Sequence, residues 1–166
     1  MVLRLNWLLA ALISLSTFVC FSQELQKRPQ YRRQKIEFAG KAGSKVVEIE
    51  VAETPAEHAY GLMKVSSLSA NDGMIFVFSN DEIREFWMKN TWIDLDIAYV
   101  DAKKTIFEIL KMKAVTSEMQ TNLPIYPSKR PARYAIEMNA GWFKKNKISV
   151  GDKIKFISGP TSKSKK

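Results

Sequence analysis

Asn71-Asp72-Gly73-Met74-Ile75-Phe76-Val77-Phe78 reads as a polar turn followed by five apolar residues without a break. A run that short is too brief for a helix of its own. Bounded by a turn and made of branched and aromatic side chains, it predicts a strand covered on both faces. The flanking sequence must then supply the other strands and the covering layers.

Upstream, Val47, Ile49 and Val51 alternate with Glu48, Glu50 and Ala52, the period-two pattern of a half-buried strand. Thr54-Pro55-Ala56-Glu57 follows as a capping box with proline at the first helical position. It predicts a short helix over residues 55–62, with Ala56, Ala59, Tyr60 and Met63 as its apolar stripe and His58 turned to solvent. Downstream, residues 85–90, 95–100 and 105–113 read as strands, the last two joined by Asp101-Ala102-Lys103-Lys104. Residues 115–128 lack periodicity and read as a long loop, a kind of segment that often carries function. Residues 132–138 form another strand, Asn139 is positioned to cap a short helix through Phe143, and Val150-Gly151-Asp152 turns into a final strand over residues 153–157. The expected fold is mainly β, at the margin of α+β: a single antiparallel, barrel-like sheet with two short helices.

The ends divide the chain further. Arg4 precedes an apolar run from Trp7 to Val19, and Cys20-Phe21-Ser22 places small residues three and one positions before a cut after Ser22. That is the layout of a secretory signal peptide, and the run is too short for the ~20 residues that span a bilayer. The expected organisation is a signal peptide over residues 1–22, a flexible basic lead-in over 23–34, one β-rich domain over 35–158 and a basic disordered tail over 159–166. Export to the periplasm or beyond follows from it. Lipidation at Cys20 is the weaker alternative, because Phe18-Val19 is bulky where such a site wants small residues. Cleavage would remove the only cysteine, and with it any disulfide or thiolate metal site. The net charge of +9 suits contact with a membrane surface or an anionic envelope polymer through the basic termini. Nucleic acid is not expected as a partner, since no recognised motif accompanies the charge.

Several segments together resemble one family. They are Gly61-Leu62-Met63, Gly73 to Phe78, Phe86-Trp87-Met88-Lys89-Asn90-Thr91, Leu95-Asp96-Ile97, Tyr126-Pro127-Ser128, Pro131-Ala132-Arg133-Tyr134-Ala135 with Glu137, Ala140-Gly141 and Val150-Gly151-Asp152. In this order they look like the bacterial and archaeal family called domain of unknown function 192, over residues 36–157. The resemblance implies a small β-rich domain, often behind a signal peptide, and brings no established activity with it. Many members carry a cysteine shortly before the Tyr-Pro-Ser segment. This chain has Leu123-Pro124 there, so no thiol role carries over.

The chemistry-bearing residues are few. The single histidine and the absence of a glycine-rich phosphate loop or a Gly-x-Ser-x-Gly motif leave no nucleophile–base set. No metal site or cofactor is expected. A carboxylate pair at Asp94 and Asp96 reads as structural ion pairing with Lys89 or Arg133, and the seven methionines read as core packing. The stretch Trp87-Met88-Lys89-Asn90-Thr91 embeds polar groups in aromatic sequence. Two readings stay open for it: a hydrogen-bonded turn beside core tryptophans, or a pocket in which Lys89 meets Asp96 or Glu137. The candidate ligand-binding residues are Trp87, Lys89, Asn90, Thr91, Asp96, Tyr126, Ser128 and Glu137, with Asp96 and Glu137 the weak catalytic candidates. The leading expectation is a non-enzymatic exported binding module for a small polar or anionic ligand or an envelope polymer. The alternatives are a cell-envelope glycan hydrolase or lyase using Asp96 and Glu137, and an envelope interaction protein without a small-molecule site.

Overall fold

The computed structural model describes residues 27–41, 43–117 and 119–157. The signal-peptide and tail expectations, with Cys20, lie outside them. The strands are β1 (Arg32–Gly40), β2 (Gly43–Ala52), β3 (Gly73–Glu82), β4 (Glu85–Trp87), β5 (Leu95–Val100), β6 (Ile106–Met112), β7 (Ile125–Pro127), β8 (Ala132–Asn139) and β9 (Lys153–Ile157); the helices are α1 (Pro55–Tyr60) and α2 (Trp142–Lys145). Seven strands form one sheet in the order β6-β5-β8-β3-β2-β1-β9, and β4 pairs with β7 in a small second sheet. Every pairing is antiparallel except that of β2 with β3, which the α1 connection makes parallel.

The strand that opened the reading is central, between β8 and β2, and Met74, Ile75 and Phe76 are fully enclosed. Gly73 begins it because β8 passes too close for a side chain: a Cβ there would stand 2.3 Å from the Glu137 carbonyl oxygen. The sheet curls until its two ends touch. An isolated bridge joins Thr105, at the start of β6, to Lys153, at the start of β9. The curl stays short of a closed barrel.

Curling gives the sheet two unlike faces. The inner one gathers Ile36 and Phe38 of β1, Ile49 of β2, Ile106 of β6, Ile136 of β8 and Ile154 of β9 around Trp142 and Phe143 of α2. The outer one carries Met74, Phe76, Ile97, Tyr99 and Ala135. Over it lie Leu62, Met88 and Val115 from the connections, and the β4–β7 ribbon, with Phe86 and Tyr126 facing inward.

Three local expectations change. The domain begins before residue 35. Tyr31 is buried, and its hydroxyl donates to the carbonyls of Glu57 and Gly61. Arg28 pairs with Glu50, Arg32 with Glu53 and Arg33 with Asp72. What reads as a solvated basic lead-in is, from Arg28 onward, bound to specific carboxylates. The α1 stripe does not enter the core: Ala56 and Ala59 are exposed, and no residue of the helix is buried. The helix is fixed by its capping box and by His58, which packs inward instead of facing water. Its ring centroid lies 4.6 Å from that of Phe78, and its Nε2 lies 3.1 Å and 3.2 Å from the carbonyl oxygens of Ala52 and Val77. Asn139 does not cap α2; its side chain donates to Ser69 O at 2.9 Å. The Gly141 N–H before α2 is taken by Asp96 Oδ2 at 2.8 Å.

Candidate functional site

The segment from Trp87 to Thr91 forms the rim of the outer layer. Trp87 and Lys89 point outward and Met88 inward. Trp87 is 52% exposed, with the Lys89 ammonium 5.5 Å from its ring centroid. Asn90 adopts a left-handed φ of 52°, and its carbonyl accepts from Lys64 N at 2.8 Å. Thr91 is buried; its hydroxyl donates to Lys89 O and its N–H to Met88 O, while its carbonyl accepts from Val115 N. Lys89-Asn90-Thr91 is therefore a hydrogen-bonded turn that ties three segments together. The expectation of core tryptophans beside this turn fails at Trp87, which faces solvent.

Tyr126 and Ser128 hold the ribbon in place. The Tyr126 carbonyl accepts from Tyr99 Oη at 2.5 Å, and its own hydroxyl accepts from Lys113 N at 3.2 Å. Ser128 is buried; its Oγ accepts from Arg84 N and donates to Arg130 O, both at 2.9 Å.

Asp96 and Glu137 are parted by the sheet itself. Ile97 pairs with Glu137 and Asp96 with Met138. Paired residues of an antiparallel ladder share a face and successive residues alternate. Glu137 is therefore on the outer face with Ile97, and Asp96 on the inner face with Met138. One cleft cannot hold both, which removes the geometry a two-carboxylate glycosidase needs. Lys89 is exposed and meets neither acid. Nor do Lys89 and Arg133 balance Asp94: its partners are Lys113 Nζ at 2.7 Å and Ala114 N at 2.8 Å, and Arg133 pairs with Asp81.

Each acid has a distinct electrostatic setting. Asp94 is held below the ordinary carboxylate range, first by the Lys113 hydrogen bond and then by that from Ala114 N. Burial raises Asp96, against the Gly141 N–H and the Lys111 charge; its Oδ1 is enclosed without a hydrogen bond. Glu137 is 5% exposed, and burial alone pushes its carboxyl up to about 8. It is a neutral acid at neutral pH, set among apolar side chains.

The sequence reading missed the groove beside Trp87. About 310 Å³ in volume, it opens between α1, β3 and β4. Phe76, Phe78 and Phe86 form its floor, with Phe76 and Phe86 edge to face at 4.9 Å. Ile83, Glu85 and Trp87 stand around it. His58 supplies a wall. Two carbonyls share Nε2, so that nitrogen carries a proton. Arg84 also borders the groove, but it is committed elsewhere. Its guanidinium lies 4.0 Å from the Phe78 ring centroid and donates to Asn80 Oδ1, Ala132 O and Glu82. The sequence signal for this site was His58, whose neighbours in the fold could not be read from helical spacing. Among the described residues no cluster of three or more His, Cys, Asp or Glu side chains is placed to hold a metal ion.

Comparison with known proteins agrees on the fold. A UPF0127 protein of Pyrococcus abyssi is 26% identical over 116 residues, spanning 67% of this chain and 87% of that one. A solved structure from Sinorhizobium meliloti 1021, provisionally named a transcription regulator, is 29% identical with a TM-score of 0.69, covering 78% of this chain and 98% of its own. A protein of unknown function from Novosphingobium aromaticivorans is 32% identical with a TM-score of 0.67, covering 74% of this chain and 84% of its own. The family model described as uncharacterized ACR matches residues 36–156. The chain belongs to that family, DUF192.

Proposed function

We propose that the protein is an exported binding module whose site is the aromatic groove beside Trp87, and that its ligand is a hydroxyl-rich ring such as a sugar unit of an envelope glycan. The layout of Met1 to Ser22 supports export. The observation that carries the ligand reading is a half-exposed Trp87 at the rim of a groove floored by three phenylalanines. A broad aromatic face left in water beside a concave apolar floor suits a ring with one apolar face.

The polar groups narrow the chemistry. The Glu85 carboxylate borders the groove as an acceptor, while Arg84 spends most of its donors on Ala132 O, Glu82 and Asn80. A groove that offers acceptors calls for a ligand with donors. Hydroxyl groups fit that requirement.

Calorimetric titration of the full chain with soluble N-acetylhexosamine oligomers tests this. Saturable binding is expected, weakened by about 10-fold or more in Trp87→Ala. His58→Ala should weaken it further without abolishing the fold. No saturable binding by the folded parent, or binding indifferent to Trp87→Ala, overturns the reading. So does a Trp87 signal that follows protein concentration alone, because Ile83, Trp87 and Ile125 would then be a self-association surface.

A further inference from the structure

Away from the groove, three connections converge. The β1–β2 turn meets the turn before β9, because a Cβ on Gly40 would run into the Asp152 carboxylate. The β5–β6 turn meets the same place: Ile106 N donates to Asp152 O at 2.8 Å and Ile154 N to Lys104 O at 2.9 Å. The α2–β9 connection leads into it through Ile148 and Ser149.

These connections carry lysines in excess. Lys41, Lys103, Lys144, Lys145, Lys147 and Lys153 are all exposed. Among the described residues none of the six forms an ion pair. The two acids nearby are occupied. Asp152 is buried and accepts from Ser149 N at 2.9 Å. Asp101 pairs with Arg130 and accepts from Thr105 N. The positive field therefore faces solvent uncompensated.

At the tip of the α2–β9 turn, between Lys147 and Lys153, Val150 is 56% exposed. It precedes Gly151, whose φ of 98° holds the turn in a left-handed conformation that favours glycine. Lysines alone would suit any polyanion, and the apolar tip among them adds a group that only a partner with an apolar layer can use. The combination matches an anionic bilayer, where lysines meet headgroups and an apolar side chain enters the interface.

We infer that this lysine-ringed turn is a docking surface for an anionic phospholipid membrane, with Val150 as the residue that enters the headgroup layer. It is separate from the groove proposed for the ligand, and it places membrane contact on the folded domain as well as on the basic termini.

The test uses the full chain with Cys20→Ser and Val150→Cys, labelled at position 150 with a polarity-sensitive fluorophore. A second sample carries the label at Ile125→Cys, an exposed position on β7. Vesicles of mixed phosphatidylglycerol and phosphatidylcholine are compared with vesicles of phosphatidylcholine alone. The position-150 label should shift to the blue on the anionic vesicles only, and the position-125 label should not. Lys144→Gln, Lys145→Gln and Lys147→Gln together should lower the midpoint affinity read at position 150 by roughly 100-fold at low salt. A local signal makes the result independent of any contact by the termini. Equal shifts at both positions, a shift on neutral vesicles, or indifference to the triple substitution overturns the inference.

Discussion

The two faces of the sheet are built from the same strands yet solve burial differently. On the inner face, Phe38, Trp142 and Phe143 pack ring against ring at 5.2–6.0 Å. A carboxylate on that face, Asp96, is used to tie the start of α2. The outer face is roofed by connections and a three-residue ribbon, and it contains Glu137 with no countercharge. A face closed by its own curl can be filled with apolar side chains alone. A face closed by a separate layer depends on what fastens that layer: Thr91, Ser128 and the Tyr99 hydroxyl.

Glu137 offers the largest expected effect. Its folded pKa, about 8, lies above its ordinary value of 4.5. A carboxyl raised on folding binds its proton more tightly in the native state, so its contribution is intact below about pH 4.5 and is lost as pH rises toward 8. At 1.36 kcal/mol per pKa unit, the loss amounts to about 5 kcal/mol across that window. The raised Asp96 acts in the same direction. Asp94 and Glu57, both lowered, act below their ordinary values, outside the window. Urea unfolding across this pH range should show stability falling in the parent. Glu137→Gln should flatten the curve and be the more stable protein at pH 8. If parent and variant run parallel, the outer face is wet enough to solvate the carboxylate, and the contrast between the faces disappears.

Truncating one ring on each face comes next. Phe38→Ala removes a fully buried ring from the inner cluster and should cost about 3–5 kcal/mol. Phe86→Ala removes a half-buried ring that touches Phe76 and Tyr99, and should cost about half as much. Equal costs by denaturant titration would mean that the roof is as tightly packed as the interior.

The same contrast explains what could be read from sequence. The central run at Met74, the strand from Leu95 to Val100, the final strand from Lys153 and the capping box at Thr54 are local signals, and each forms where its pattern placed it. What failed depends on partners distant in sequence. The strand β1 begins among Arg32 and Arg33, whose charges read as a tail until Glu53 and Asp72 are known to face them. The ribbon strand β7 is three residues long inside an aperiodic stretch, and only its pairing with β4 makes it a strand. The family segments drew attention to Trp87 to Thr91, Tyr126, Ser128 and Glu137, and the structure spreads them over the rim, the ribbon and the sheet. Their joint position follows from register: a shift of one residue between β5 and β8 would have put Asp96 and Glu137 on one face. The groove is not legible in the sequence because helical spacing turns His58 outward, whereas backbone carbonyls of β2 and β3 hold it inward.

The smallest expected effect is the most discriminating, because it asks whether the roof opens by itself. Tyr99 rises from the sheet fully buried, and its hydroxyl reaches the Tyr126 carbonyl in the ribbon. Tyr99→Phe keeps the ring and deletes that single bond, for a global cost of about 1 kcal/mol. Hydrogen exchange separates two outcomes. If β4 and β7 amides speed up while β3, β5 and β8 amides do not, the roof is an independently opening unit and the groove beside Trp87 sits at its hinge. If all of them speed up together, roof and sheet unfold as one body. The two faces would then differ in composition but not in cooperativity, and Glu137 would be sealed by the whole domain rather than by its lid.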